Sequence, residues 1–177
     1  MGTVSFVSCN TDEDSAWDAY KEYRQANLDW LKEMSAKTNA DGTPYYKTVV
    51  PSWNPSAYVL IHYFNDRSET EGNLSPMYTS TIDVRYVGTR YNGNVFDEST
   101  SSTSPAPGVY RCRLDQVITG WTIALSDMRV QDTAEIIIPY QWAYGSTINA
   151  TSTDTILPYS ALRFNVRLVD IYRYEAP

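Results

Sequence analysis

The segment Val84-Arg-Tyr-Val-Gly-Thr-Arg-Tyr-Asn-Gly-Asn-Val-Phe-Asp97 decides the fold of this chain. At its centre, Asn92-Gly93 is a strong signal for a tight β-hairpin, because both residue types accept the positive φ angles of such turns. The flanking residues are rich in β-branched and aromatic side chains, and the strand-like run before the turn extends over Thr79–Tyr91. We therefore predict two strands joined at Asn92-Gly93.

Further strand-like runs lie on both sides of this hairpin. The predicted strands are Tyr45–Val50, Ala57–Tyr63, Val109–Leu114, Ala134–Pro139 and Leu162–Tyr174. In the last strand, apolar residues at every second position from Leu162 to Leu168 alternate with Arg163, Asn165 and Arg167. Around Trp121–Met128 the period changes to that of a short helix. Together these patterns predict an α+β domain whose antiparallel sheet wraps around a short central helix.

A longer helical pattern precedes the strands, from about Asp14 to Lys37. Its apolar positions recur at three- and four-residue steps, with Arg24 in the one gap: Trp17, Tyr20, Leu28, Leu31 and Met34. Acidic residues 12–14 lie where a helix N-terminus favours negative charge. The helix could be a spacer, a dimerisation element or a flap on the domain, and we favour packing on its own domain.

The first nine residues resemble the end of a bacterial lipoprotein signal peptide, in which Cys9 would carry the lipid. The other interpretation is an ordinary N-terminus with one free thiol. The lipoprotein interpretation predicts a lipid-anchored protein of the bacterial cell envelope, either periplasmic or associated with the outer membrane. We divide the chain into a tether of residues 1–12, a helix of residues 13–42 and a domain of residues 43–177. A disulfide between Cys9 and Cys112 is an alternative that the sequence leaves undecided.

Composition excludes several classes of partner. The formal net charge is −7, and the basic residues form no stripe, which argues against nucleic acid as a partner. No apolar run has the length of a membrane span, so a lipid would be the only attachment to a membrane. One histidine and no CxxC or HExxH spacing predict neither a metal site nor a cofactor. Fifteen tyrosines and five tryptophans favour aromatic strands or an aromatic-lined site.

Five linked motifs between Thr79 and Tyr172 resemble the FKBP-type peptidyl-prolyl cis/trans isomerases. They are the hairpin segment ending in Phe96-Asp97, Leu114-Asp-Gln-Val-Ile-Thr-Gly-Trp121, Leu125–Met128 running into Ala134–Pro139, Ala143-Tyr-Gly145, and Ile156-Leu-Pro158 continuing into the closing strand. The resemblance implies an FKBP-like sheet around the central helix. It also implies an isomerase that acts on proline-containing polypeptides, with macrolides as possible ligands and no cofactor.

The resemblance also implies an apolar pocket for a proline side chain. Trp121 would form its floor, and Asp97 would be the one carboxylate beside it. The other residues expected around the pocket are Tyr86, Phe96, Tyr110, Cys112, Val117, Ile118, Tyr144, Ile156 and Phe164. The N–H of Ile118 and the hydroxyl of Tyr144 would hold substrate carbonyls.

Two departures from the family pattern leave a rival function open. Cys112 stands where the family usually has an aromatic residue, and Ser146–Thr155 lacks the apolar residues that help to cover the pocket. The main hypothesis is an enzyme that assists the folding of exported proteins. The rival is an FKBP-fold chaperone or binding module with little turnover, and a weaker third option is an interaction protein that dimerises through its N-terminal helix.

Overall fold

The computed structural model describes residues 17–151 and 154–172. They form helices α1 (Lys21–Ala36) and α2 (Thr119–Asp127) and nine strands. The strands are β1 (Lys47–Val49), β2 (Val59–Tyr63), β3 (Thr81–Arg90), β4 (Val95–Glu98), β5 (Tyr110–Arg113), β6 (Thr133–Ile138), β7 (Asn149–Ala150), β8 (Thr155–Ile156) and β9 (Leu162–Ile171).

The predicted hairpin is confirmed. Strands β3 and β4 pair antiparallel and are joined at Asn92-Gly93, where Gly93 has a φ of +84°. The N–H of Arg90 donates to the carbonyl of Asn94 at 3.0 Å and closes the turn. The glycine is needed here because a side chain rarely adopts this left-handed backbone conformation.

One antiparallel sheet contains seven strands in the order β1-β2-β6-β9-β3-β4, with β5 beside the first half of β3. The predicted α+β fold is confirmed, and α2 packs on the sheet through buried Trp121 and Leu125, followed by buried Met128 directly after the helix. The predicted alternation of β9 is also confirmed, since Leu162, Phe164, Val166 and Leu168 are buried. The polar segment Ser146–Thr155 includes β7 and the first residue of β8, and these two strands pair as a short ribbon.

Strands β2 and β6 are covered on both faces, because the two helices lie on opposite sides of the sheet. Ile136 and Ile138 belong to the core under α2, whereas Ile137 packs with Leu31 and Met34 of α1. Successive side chains of a strand point to opposite faces, so double coverage requires an uninterrupted apolar run. The expectation that the N-terminal helix packs on its own domain is therefore confirmed.

The contact face of α1 differs from the predicted apolar stripe. Leu31 and Met34 are buried as expected, and Arg24 and Asn27 are buried beside them, whereas Trp17 is 46% exposed. Polar residues are buried here because they have partners. Asn27 accepts the N–H of Ala161 at 2.9 Å through its side-chain oxygen, and the guanidinium of Arg24 lies 3.2 Å from the Trp17 ring centroid. The acidic residues 12–14 and Cys9 lie outside the described residues.

Asn27→Ala is expected to lower the free energy of unfolding by about 1–3 kcal/mol, because the buried N–H of Ala161 loses its acceptor. The exposed Lys32 on the same helix provides a control, and Lys32→Ala should change stability by less than about 0.5 kcal/mol. Urea unfolding of the three proteins measures both effects. Equal stability of the two variants would contradict this role of Asn27.

Neither described helix has the length and the apolar composition that a membrane crossing requires. Within residues 17–151 and 154–172, no group of three or more His, Cys, Asp or Glu side chains is arranged to hold a metal ion.

Candidate functional site

A cavity of about 230 Å³ lies at the N-terminal end of α2 and contains most of the predicted site residues. Eight of its nine lining residues are predicted ones, and the ninth is Gln116. The lining residues are Tyr86, Asp97, Tyr110, Gln116, Val117, Ile118, Trp121, Tyr144 and Phe164. They come from β3, β4, β5, β9, the start of α2 and the turn after β6. The fold thus brings together motifs that are far apart in the sequence.

Trp121 lies in the first turn of α2 and is 5% exposed. Its ring makes edge-to-face contacts with Tyr86 at 5.0 Å and with Phe164 at 5.3 Å between centroids. Within the described chain, the indole N–H of Trp121 is buried without a hydrogen-bond partner. The three rings therefore form one rigid aromatic surface. The indole N–H of Trp121 on this surface donates to no other group of the described chain.

Asp97 is tied to the aromatic surface by a direct hydrogen bond. The hydroxyl of Tyr86 donates to Oδ2 of Asp97 at 2.8 Å, and Oδ1 accepts the N–H of Glu98 at 3.0 Å. Ser99, which the sequence reasoning missed, accepts the N–H of Tyr86 at 3.0 Å and donates to the carbonyl of Gly108 at 3.0 Å. These bonds hold the carboxylate at one fixed edge of the cavity.

Three tyrosine hydroxyls line the cavity as neutral groups. Burial, followed by the hydrogen bond to Asp97, raises the pKa of Tyr86. Burial is also the main reason why the pKa values of Tyr110 and Tyr144 are raised. Among the described residues, the hydroxyls of Tyr110 and Tyr144 make no hydrogen bond. Both hydroxyls are therefore available as donors to a bound ligand at neutral pH.

The backbone at the start of α2 offers a further donor. Ile118 precedes the first helical residue, and its carbonyl accepts the N–H of Trp121 at 2.9 Å. The N–H of Ile118 takes part in none of the turn and loop hydrogen bonds of residues 17–151 and 154–172. Unpaired N–H groups at a helix start commonly bind carbonyl or anionic oxygens.

Three predicted site residues lie outside the lining of the cavity. Phe96 is buried behind it, with its ring 5.5 Å from that of Phe164. Ile156 is buried in the main core. Cys112 lies farther along β5, opposite Ile82 of β3. Their predicted roles in binding or catalysis stay predictions, and their observed contacts are with the core.

Gly88 allows the rings behind the cavity to pack closely. A Cβ at this position would lie 2.7 Å from Cζ of Phe96 and 2.8 Å from Cε1 of Phe164. Real Cβ atoms do not approach ring carbons so closely, because packed carbon atoms are separated by about 3.5–4.0 Å. The glycine in the hairpin motif is therefore explained by packing.

Gln116 was not predicted as a site residue. It is the last residue of the short 3₁₀ helix Leu114–Gln116 and lies three residues before the start of α2. A single polar glutamine belongs to no hydrophobic pattern, so the sequence does not distinguish a residue of a cavity wall from one of an exposed turn. Its position beside Val117 in the motif is the only signal that could have identified it.

Cys112 is expected to react slowly with iodoacetamide in the folded protein. Burial, with a smaller contribution from Asp83, raises the pKa of its thiol to about 12. At pH 8.5 the thiolate fraction is then lower by roughly a thousandfold than for an ordinary cysteine, and the thiolate is the reactive form. Peptide mapping after timed alkylation, with and without urea, measures this rate. Alkylation at the unfolded rate without urea would contradict the burial.

Comparison with known proteins identifies a family for most of the domain. The sequence model described as FKBP-type peptidyl-prolyl cis-trans isomerase matches residues 72–169. A macrophage infectivity potentiator of Trypanosoma cruzi is 38% identical over 100 residues, which are 56% of this chain and 47% of that protein. The FKBP-type peptidyl-prolyl cis-trans isomerase FkpA of Escherichia coli K12 is 30% identical over 151 residues, which are 85% of this chain and 44% of FkpA.

Solved structures agree with this assignment. The crystal structure of a peptidyl-prolyl cis-trans isomerase from Pseudomonas syringae pv. tomato has a TM-score of 0.65 and 26% identity, and the match covers 87% of this chain and 96% of that one. The crystal structure of E. coli FkpA has a TM-score of 0.56 and 26% identity over 90% of this chain and 61% of that one. The chain spans less than half the length of the two curated relatives described above.

Proposed function

This chain belongs to the FKBP-type peptidyl-prolyl cis-trans isomerase family, and from that premise we propose that it isomerises X–Pro bonds in the cavity at the start of α2. The observation that carries the proposal is the aromatic surface of Tyr86, Trp121 and Phe164, which is bordered by the unpaired hydroxyls of Tyr110 and Tyr144. The expectation of an enzyme is confirmed at the level of the family.

The chemistry of the reaction fits such a site. Rotation about an X–Pro bond has a barrier of about 18–20 kcal/mol, because the amide loses its resonance. No covalent bond breaks, so neither a nucleophile nor a metal is required. The twisted amide is less charge-separated than the planar one, and an apolar surface therefore stabilises it relative to the ground state.

Each group around the cavity then has a proposed role. The proline ring lies on Trp121, between Tyr86 and Phe164. The N–H of Ile118 and the hydroxyl of Tyr144 donate to substrate carbonyls on either side of the twisting bond. Asp97 accepts from Tyr86 and holds that ring in place.

Proline-containing segments of unfolded or partly folded polypeptides are the proposed substrates, and macrolides are proposed as competing ligands. Uncatalysed exchange takes tens to hundreds of seconds, which is slow enough to limit folding. We further propose that the protein assists exported proteins from a bacterial envelope, anchored through Cys9. That part rests on residues 1–14 alone. Mass spectrometry of the protein isolated from whole cells should detect a lipid on Cys9, and an unmodified Cys9 would contradict the anchor.

One observation favours the rival function, a chaperone or binding module. Ile148 is the one large apolar residue of Ser146–Thr155, and it is exposed. That segment therefore adds little apolar cover to the cavity, and water that remains there would weaken the preference for the twisted amide.

Refolding of a protein whose slow phase is proline-limited separates the two functions. An enzyme at substoichiometric concentration increases the rate of that phase, whereas a chaperone lowers aggregation at stoichiometric concentration without changing the rate. The proposed function predicts the first result. A slow phase that is unchanged at every enzyme concentration, with aggregation suppressed, would support the rival.

A further inference from the structure

A groove lies along the outer face of α2 and adjoins the cavity at Val117. It consists of two adjoining depressions of about 550 and 420 Å³, which share Trp53, Tyr78 and Thr122 in their walls. We call it the Trp53–Tyr78 groove. The residues of α2 that line it are Thr119, Thr122, Ile123, Ser126 and Asp127.

These helix positions form one continuous stripe. Thr119, Thr122 and Ser126 are spaced by three and four residues, as on one face of an α-helix, and Gly120 packs against the sheet on the other side. From Thr119 to Ser126 the stripe is about 10 Å long at 1.5 Å per residue. This length accommodates about three residues of an extended peptide at about 3.3 Å each.

The walls of the groove expose large apolar side chains. Trp53 is 58% exposed, Tyr78 is 60% exposed, and Met77 beside them is 73% exposed. All three line one or both depressions. Contiguous exposed apolar surface with a polar edge is typical of an interaction site, whereas single exposed apolar residues are common and carry no such meaning.

The charged groups at the groove are already paired within the fold. Asp115 accepts from Arg113 at 2.6 Å, and Asp127 accepts from Lys47 at 2.7 Å. Asp127 also accepts the hydroxyl of Tyr63 at 2.7 Å. An occupant therefore meets aromatic and aliphatic surface with compensated charges, which favours an uncharged apolar segment over a charged one.

The groove is continuous with the proposed proline site. Val117 lines both the cavity and the larger depression. Trp142, also in the wall of the groove, is two residues before Tyr144, which lines the cavity. A polypeptide whose proline occupies the cavity can therefore continue directly into the groove.

From this continuity we propose that the Trp53–Tyr78 groove binds the apolar and aromatic residues that flank the proline of an extended polypeptide substrate. This inference rests on the proposed function and specifies its substrate class. The enzyme acts on short X–Pro peptides through the cavity alone, and it prefers unfolded chains in which a hydrophobic segment lies within a few residues of the proline.

The test uses three synthetic peptides with the same central Xaa-Pro pair. One is a tetrapeptide, the second has Leu and Tyr residues two to five positions from the proline on both sides, and the third has Ser and Gly at those positions. For the wild-type protein, kcat/KM for the apolar peptide should exceed that for the Ser/Gly peptide by roughly tenfold. In Trp53→Ala and Tyr78→Ala this ratio should fall towards one.

Phe64→Ala is the matched control, because Phe64 is an aromatic residue of similar exposure, 54%, outside the groove. This variant should keep the tenfold ratio. A ratio of one in the wild-type protein, or a ratio that Trp53→Ala and Tyr78→Ala leave unchanged, would overturn the proposal. So would a concentration-dependent dimer that Trp53→Ala dissociates, since a second copy would then occupy the groove.

Binding of the same peptides, measured by fluorescence anisotropy, tests the groove independently of turnover. If the wild-type protein does not isomerise the tetrapeptide, the proposed function fails. The ratio of the Kd values of the two long peptides then still decides whether the groove binds apolar flanking residues. A tenfold tighter Kd for the apolar peptide that Trp53→Ala removes supports the groove. Equal Kd values overturn it.

Discussion

Trp121→Ala is expected to lower kcat/KM for a short X–Pro peptide by roughly a hundredfold or more, equivalent to about 2.7 kcal/mol of transition-state stabilisation. Trp121 is 5% exposed and contacts both other rings of the aromatic surface, at 5.0 and 5.3 Å. Alanine removes the floor of the cavity and admits water to the place of the proline ring. Since the twisted amide is favoured by an apolar surface, the main loss should be in kcat.

Loss of folding must be distinguished from this effect. Removal of a buried tryptophan side chain costs about 3–5 kcal/mol of stability, so near-UV circular dichroism and urea unfolding accompany the assay. Trp121→Phe keeps an aromatic floor and removes the unpaired indole N–H, and it should retain most of the activity. A folded Trp121→Ala protein with wild-type kcat/KM would show that the reaction takes place elsewhere.

Gly120→Ala should destabilise the protein by about 3 kcal/mol or more, although alanine favours helices over glycine by about 1 kcal/mol. A Cβ at Gly120 would lie 2.3 Å from Cγ2, 2.8 Å from Cδ1 and 2.9 Å from Cγ1 of Ile138. The free-energy cost of these three overlaps with the buried Ile138 side chain of β6 exceeds the gain from the higher helix propensity of alanine. The helix must then move away from the sheet, and Trp121 moves with it.

Two comparisons isolate that overlap in urea unfolding. Gly72→Ala controls for the substitution itself, because a Cβ at Gly72 meets nothing within 4 Å, and it should be nearly neutral. The double variant Gly120→Ala/Ile138→Ala should be less destabilised than the sum of the single variants, because alanine at 138 removes all three overlapping atoms. Strict additivity would show that the contact with Ile138 does not explain the glycine.

The sequence predicted the parts of the fold that depend on local pattern. The turn at Asn92-Gly93, the alternation of β9 and the packing of α2 through Trp121 and Leu125 follow from short-range periodicity and turn chemistry. Placement of the site depended on the family motifs, because no local pattern brings Tyr86 of β3 and Tyr144 of a distant turn together.

The sequence pattern did not predict side chains whose burial or role depends on partners far away along the chain. Asn27 is not part of the apolar pattern of the helix, and its burial depends on its bond to the N–H of Ala161, far along the chain. The same holds for Ser99, whose hydroxyl accepts the N–H of Tyr86 and donates to the carbonyl of Gly108. The Trp53–Tyr78 groove forms where two irregular segments meet α2, and neither segment carries a periodic signal.

Two-dimensional NMR exchange spectroscopy of a short X–Pro peptide measures catalysis of cis/trans exchange directly. With about 1 µM wild-type protein, the cis/trans exchange rate should rise at least about tenfold above the uncatalysed rate, given a typical enzymatic kcat/KM. Asp97→Val, which removes the acceptor of the Tyr86 hydroxyl, should reduce that acceleration. An exchange rate that the folded wild-type protein leaves unchanged would contradict the isomerase function, and the cavity would then have to be understood as a binding site.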